Sequence, residues 1–339
     1  MADNNYIKEK QGRNSNIEIL RVILMLFICL WHIIMHGFNF KTIGADDYVL
    51  ELDRVIVTFF CALFAPAVYC FMFISGWFGI KFSKKKFYYF AYIGFSSYII
   101  SILTRAYLGC PIKTTSVFKH ILPIASNNWW FLTSYIMVFL VAPFIDLGFK
   151  MLKAQDIKQI IYILTYIEIM GFFTLDPYGG YSFFGLLYIY ILARYLRTNK
   201  IVFSRYKIIP LYFASLLALW FTCYWASGLQ GENARLSFIF LGYSNPLIIL
   251  MTISIFYFVN SIKPFFSKLI NLLFSNTLII YLLTEGVGVI LYKFEADLLK
   301  KNALYGILFV VFIMIVCLTI GVMLSFAYNV VNNYFVKRT

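Results

Sequence analysis

Apolar stretches of about 20 residues, each long enough to cross roughly 30 Å of hydrocarbon, recur from residue 17 to residue 331 of this chain. No other feature constrains the fold so strongly. With 62% hydrophobic and 13% charged residues, the chain falls far short of the roughly 25% charged that a water-soluble domain carries. A length of 339 residues would suffice for two soluble domains, but the unbroken recurrence predicts one membrane domain over 1–339. Residues 1–16 form a polar cytoplasmic tail, and no soluble domain is expected.

The apolar runs place spans near 17–37, 53–79, 87–108, 129–149, 157–175, 180–197, 208–228, 236–260, 266–294 and 303–331. Backbone polar groups in lipid must be satisfied within the segment, so a spanning element is either a helix or part of a closed barrel. Runs this long lack the alternating ten-residue pattern of a barrel strand. The reading is therefore all-α, a polytopic membrane protein with about ten transmembrane helices. The first run carries Glu18 and Arg21 and lacks a small-residue cleavage site, which marks an uncleaved helix rather than a signal peptide.

A formal net charge of +14 raises the question of nucleic acid, and the position of the charges answers it. They sit at the ends of apolar runs. Assigning alternate loops to the cytoplasm puts 19 of the 29 Lys and Arg there, among them Lys81, Lys84, Lys85, Lys86, Arg194, Arg197, Arg205 and Lys207. This is the positive-inside pattern of a membrane protein. It predicts both termini in the cytoplasm and no nucleic-acid partner. Acidic residues cluster in the first outer loop at Asp46, Asp47, Glu51 and Asp53. Arg105, Lys113, Lys119 and His120 run against the pattern, so a re-entrant or lipid-surface segment is an option there. The six cysteines show neither metal-type spacing nor pairing and read as free thiols.

An ionisable side chain inside a bilayer is costly unless paired or wetted by a cavity, so each is a functional candidate. The first helix holds Glu18, Arg21, His32 and His36, and Glu168 and Glu285 fall in or near the fifth and ninth spans. Arg21 and His32 stand eleven residues apart, which is about three full turns and roughly 16 Å of rise on one helix face. Arginine suits phosphate recognition, and a histidine exchanges protons near neutral pH. The structural alternative is that Arg21 pairs with Glu18 as an interfacial anchor while His32 hydrogen-bonds a neighbouring helix. His36 lies one turn further on, but HIIMH lacks the glutamate of a zinc-protease motif, and no metal is expected.

Ser75 and Gly76 in FMFISGWF read as close helix packing, since no nucleophile elbow surrounds the serine. Asn127, Asn128, Trp129, Trp130 and Tyr135 open the fourth span, where an aromatic belt at the membrane interface is the default explanation of the tryptophan pair.

These segments together resemble acyltransferase family 3, bacterial membrane enzymes that acylate surface glycans. IEILRVILMLFICLWH carries the family's Arg-then-His mark at Arg21 and His32. FMFISGWF, NNWWFLTSYIMVFLVAPFI and YSFFGLLYIYILARYLR resemble its later segments in order and spacing. One departure stands out. Where many relatives read isoleucine-tyrosine-leucine-isoleucine-histidine, this chain reads SNTLIIYLLTEG, with Thr284 at the histidine position and Glu285 beside it.

The resemblance implies a multi-pass protein of the bacterial plasma membrane that transfers an acyl group. Acetyl is the first expectation, carried from acetyl-CoA or another short acyl-CoA to a hydroxyl of a cell-surface or capsular polysaccharide or its lipid-linked precursor. His32 would be the base and Arg21 the phosphate or charge partner, with Glu285, Tyr135 and Trp130 near the acceptor. Membrane lipids and the glycan are the expected partners. Two rivals remain open at this point, a secondary transporter or glycan flippase, and a non-catalytic member of the family.

Overall fold

A computed structural model describes residues 13–38, 51–110, 129–174, 180–229 and 236–336. The first twelve residues, the Asp46 and Asp47 cluster, the stretch from Lys113 to His120, and Asn127 and Asn128 lie outside the described residues. Within them the chain is helical, without strands.

Helix α1 (Ser15–His32) is started by Asn14, whose side chain accepts from the Asn16 amide, and Glu18 in the first turn complements the helix dipole. It runs on into one π turn, Ile33–Gly37. Next come α2 (Glu51–Phe64), α3 (Ala67–Phe78), α4 (Lys84–Tyr107), α5 (Trp130–Met151), α6 (Ala154–Phe173), α7 (Phe183–Thr198) and α8 (Arg205–Ser227). The chain closes with α9 (Leu236–Phe240), α10 (Pro246–Asn260), α11 (Lys268–Phe274), α12 (Leu278–Val287), α13 (Val289–Lys301) and α14 (Ala303–Val336).

Helix lies over each of the ten segments read from the sequence. Among the described residues, seven are both long and apolar enough to cross a membrane: Ser15–Gly37, Arg54–Phe78, Lys84–Tyr107, Trp130–Met151, Arg205–Ser227, Lys268–Val287 and Ala303–Asn333. Of the other three, α6 carries Asp156, Lys158 and Glu168, while α7 and α10 have only 16 and 15 residues. Large apolar side chains point outward along the bundle, Phe144, Phe221 and Phe312 among them, as they do where the surrounding solvent is lipid. This is a multi-pass membrane protein.

Helix α1 sits at the centre and packs against α2, α3, α10, α11, α12 and α14. Small residues set the closest approaches. A Cβ on Gly76 would stand 2.6 Å from the Tyr190 carbonyl oxygen, so the SGW segment brings α3 directly onto α7, in the close packing expected of that glycine. The six cysteines are free. The ninth segment is not one rod. It breaks at Ser275–Asn276–Thr277 between α11 and α12, and again at Gly288, whose φ of 72° turns the chain from α12 into α13. That second break swings α13 back onto the π turn of α1, where a Cβ on Gly37 would collide with the Tyr292 carbonyl oxygen.

Candidate functional site

The breaks matter because of what they bring to His32. Glu285, on the last turn of α12, holds Oε2 3.6 Å from His32 Nδ1. Tyr292, on the first turns of α13, donates its hydroxyl to the same Oε2 at 2.9 Å and lies 3.4 Å from His32 Nδ1. His36 stacks on the other side of this group, its ring centroid 5.9 Å from both His32 and Tyr292. A proton on Nδ1, facing the Glu285 carboxylate and the Tyr292 oxygen, would leave Nε2 with a free lone pair. Thr284, at the position where many relatives have histidine, lies beside Tyr292 of this group but makes no contact with His32 among the described residues. It is 4% exposed, and its hydroxyl donates to the Ile280 carbonyl at 2.8 Å. The neighbouring residue, Glu285, is the one that reaches His32.

His32 opens onto a cavity of about 900 Å³, at the upper end of the range for small-molecule sites. Arg13, Arg21, Lys81, Lys85 and Lys86 line one end of it. The opposite end is aromatic. There Trp130 packs against Tyr181 at 5.4 Å and Tyr243 at 6.0 Å, with Phe131 and Tyr281 alongside. Tyr135 lines the wall between them, edge-on to Phe90 at 5.7 Å.

Arg21 makes the ion pair expected of the anchor reading and also borders the cavity. Its Nη1 donates to Glu18 Oε1 at 2.6 Å, and the side chain lines the cavity on the same helix stripe as His32. Glu18 is 2% exposed and also faces Arg13 at 4.0 Å. One buried carboxylate thus holds two guanidinium groups at the basic end, with other Arg21 donors uncommitted to it. The tryptophan pair is not an interfacial belt. Trp129 is 2% exposed, packed near Gly286, and Trp130 faces the cavity. Arg194 pairs with Asp146 at 2.8 Å and is spent inside the bundle. Among the described residues no group of three His, Cys, Asp or Glu converges as a metal site would.

Tyr292 is the functional side chain that sequence reasoning missed. It is 260 residues from His32 and reaches it only because the chain turns at Gly288. The available signal was glycine punctuation, Gly286 and Gly288 interrupting an otherwise helical apolar pattern.

The fold and the site define a multi-pass membrane protein with a histidine–carboxylate couple buried at a cavity whose other end is cationic. Comparison sharpens that class. The chain matches the acyltransferase domain family, acyltransferase 3, over residues 14–326, nearly its whole length, and it belongs to that family. No curated protein and no solved structure matches it.

Proposed function

We propose that this acyltransferase moves an acyl group, acetyl in the first instance, from acyl-CoA to a hydroxyl of a cell-surface or capsular polysaccharide or its lipid-linked precursor. One observation carries the reading. A single cavity joins five basic side chains at one end to His32 at depth. Cationic groups at a cavity mouth suit the phosphates of coenzyme A, and a histidine held by a carboxylate suits proton transfer.

In this mechanism His32 Nε2 takes the proton of the acceptor hydroxyl as its oxygen attacks the thioester carbonyl. The carbon–sulfur bond breaks, and the departing thiolate recovers the proton from the imidazolium. Glu285 stabilises that imidazolium, and Tyr292 holds Glu285 in place. Base catalysis of this kind contributes typically 10²- to 10⁴-fold. Arg21 binds a donor phosphate, and Trp130 and Tyr135 contact the acceptor.

The membrane arrangement that goes with this is ten crossings of the bacterial plasma membrane, with both termini and the basic end of the cavity in the cytoplasm. The weight of Lys and Arg on that face supports it. Purified protein in nanodiscs, given radiolabelled acetyl-CoA and a surface-glycan acceptor, should move label onto the glycan. His32→Ala should abolish that transfer while leaving expression and membrane insertion intact. Transfer retained in His32→Ala would refute the base role, and no transfer by the unaltered protein would favour a transporter or a non-catalytic member.

A further inference from the structure

The break between α11 and α12 lies in the cavity wall. Ser275, Asn276, Thr277 and Leu278 all line the cavity there, as do Tyr89 of α4 and Ser325 of α14. Ser275 and Thr277 keep right-handed helical backbone angles, and the Ile279 and Ile280 amides reach back only three residues, to the Asn276 and Thr277 carbonyls, so the break is a tight turn set in the cavity wall.

Its side chains are arranged for a guest. Thr277 opens α12 with helical backbone angles, φ −55° and ψ −28°, and its hydroxyl caps no first-turn amide. It is 4% exposed, and its hydroxyl has no hydrogen-bond partner among the described residues. The hydroxyl belongs to a residue on the cavity wall, where a guest would supply the partner it lacks. Asn276 is the second feature. Its Oδ1 accepts from Tyr89 and from Ser325, each at 2.9 Å, and those two hydroxyls stand 2.6 Å apart. This ring of contacts holds the amide between α4 and α14 and leaves its N–H donors with no partner among the described residues.

Position along the cavity identifies what would use them. Tyr89 is one turn from Lys85 and Lys86, and Tyr328 beside it donates its hydroxyl to the Lys85 carbonyl at 2.7 Å. The polar break therefore adjoins the basic end. In the other direction, Thr277 and Glu285 are eight residues apart on α12, about 12 Å of rise. An extended chain covers that distance in roughly three to four peptide-length units.

We propose that the Ser275–Asn276–Thr277 break, faced by Tyr89 and Ser325, is a binding station for the middle of an elongated donor. The ligand it fits is an amide- and hydroxyl-bearing arm, anchored by phosphates at the basic end and presenting its thioester to His32. The pantetheine arm of coenzyme A has this chemistry, so the assignment rests on the acyl-CoA reading given above. Asn276 donates to an arm carbonyl, and Thr277 bonds an arm amide or hydroxyl.

The test uses the full chain in nanodiscs. Binding of free coenzyme A is measured by calorimetry, and transfer is measured with acetyl-CoA and with S-acetyl-N-acetylcysteamine, a short donor that ends before the station. Thr277→Val removes the hydroxyl at nearly constant shape. It should weaken coenzyme A binding and raise the acetyl-CoA KM about 3- to 10-fold, as the loss of one hydrogen bond does. Thr277→Ser should restore both, and kcat/KM for the short donor should match that of the unaltered protein. Asn276→Asp, which keeps the ring acceptor and removes the N–H donors, should weaken coenzyme A binding at least as much and serves if Thr277→Val does not fold.

Coenzyme A binding within twofold of normal in both variants would overturn the station while leaving the donor reading intact. An equal loss with the short donor would overturn it too, since the damage would then be general. An unaltered protein that neither binds coenzyme A nor uses acetyl-CoA would overturn the donor reading and, with it, this assignment.

Discussion

Replacing Glu285 with glutamine removes one charge from the couple at His32 and little else. The glutamine carbonyl still accepts from Tyr292, so the geometry is retained while the electrostatics change. With Oε2 3.6 Å from Nδ1, an imidazolium–carboxylate pair is worth about 4 kcal/mol at an effective dielectric constant near 20. The two side chains are 16% and 29% exposed, and water at the cavity screens part of that, leaving about 2–3 kcal/mol. Each 1.36 kcal/mol is tenfold in rate. Glu285→Gln should therefore lower kcat roughly 30- to 160-fold, with the acetyl-CoA KM within about twofold. Single-turnover transfer of labelled acetyl in nanodiscs reads the chemical step directly. A kcat within threefold of normal, or a loss confined to KM, would refute the view that Glu285 stabilises a protonated His32.

Arg21→Lys keeps a cation beside Glu18 and should leave the melting temperature nearly unchanged while raising the acetyl-CoA KM about tenfold. Arg21→Ala leaves the 2%-exposed Glu18 facing only Arg13 at 4.0 Å and should also destabilise the protein by about 3 kcal/mol, seen as a lower melting temperature. Gly37→Ala would press a methyl group into α13 and should cost about 1–3 kcal/mol, with a matching fall in kcat as Tyr292 shifts. Equal thermal stability would count against the docking described above. Glu295, on α13 outside the seven candidate spans, is 2% exposed, and burial pushes its carboxyl up to about 8. The folded state then holds this proton more tightly than the unfolded one, so its contribution to stability falls as pH rises from about 4.5 to about 8. Glu295→Gln should melt higher than the unaltered protein at pH 8.5 and alike at pH 4.5; a difference that does not depend on pH would exclude the assignment.

Much of the fold was legible because lipid makes a blunt demand. A segment must be apolar for about 20 residues, and the ten runs read from the sequence are all helical. The Arg21 and His32 stripe was legible for a similar reason, since both residues sit on one unbroken helix and 3.6 residues per turn fixes their relation. What could not be read were relations carried by breaks. The 266–294 span is three helices rather than one, because a break at 275–277 and a left-handed Gly288 interrupt it. Tyr292 and the Tyr89–Asn276–Ser325 ring depend on those breaks and join residues from distant parts of the chain. Glu285 was visible as a polar residue beside Thr284, yet its reach to Nδ1 of His32 is a product of how α12 packs, which no local pattern encodes. The tryptophan pair misled for a different reason. Indole suits both a lipid interface and a protein interior, and only the packing around Trp129 and Trp130 separates the two.

The π turn at Ile33–Gly37 makes the architecture sensitive to count as well as to chemistry. Its hydrogen bonds skip one residue further than an α turn, so deleting any single residue within it would wind the remainder back by about 100°. His36 and Gly37 would then face away from α13 although every neighbouring amino acid was unchanged. A one-residue gap drawn through this turn when related chains are compared is thus a structural event, equivalent to re-aiming the end of the helix.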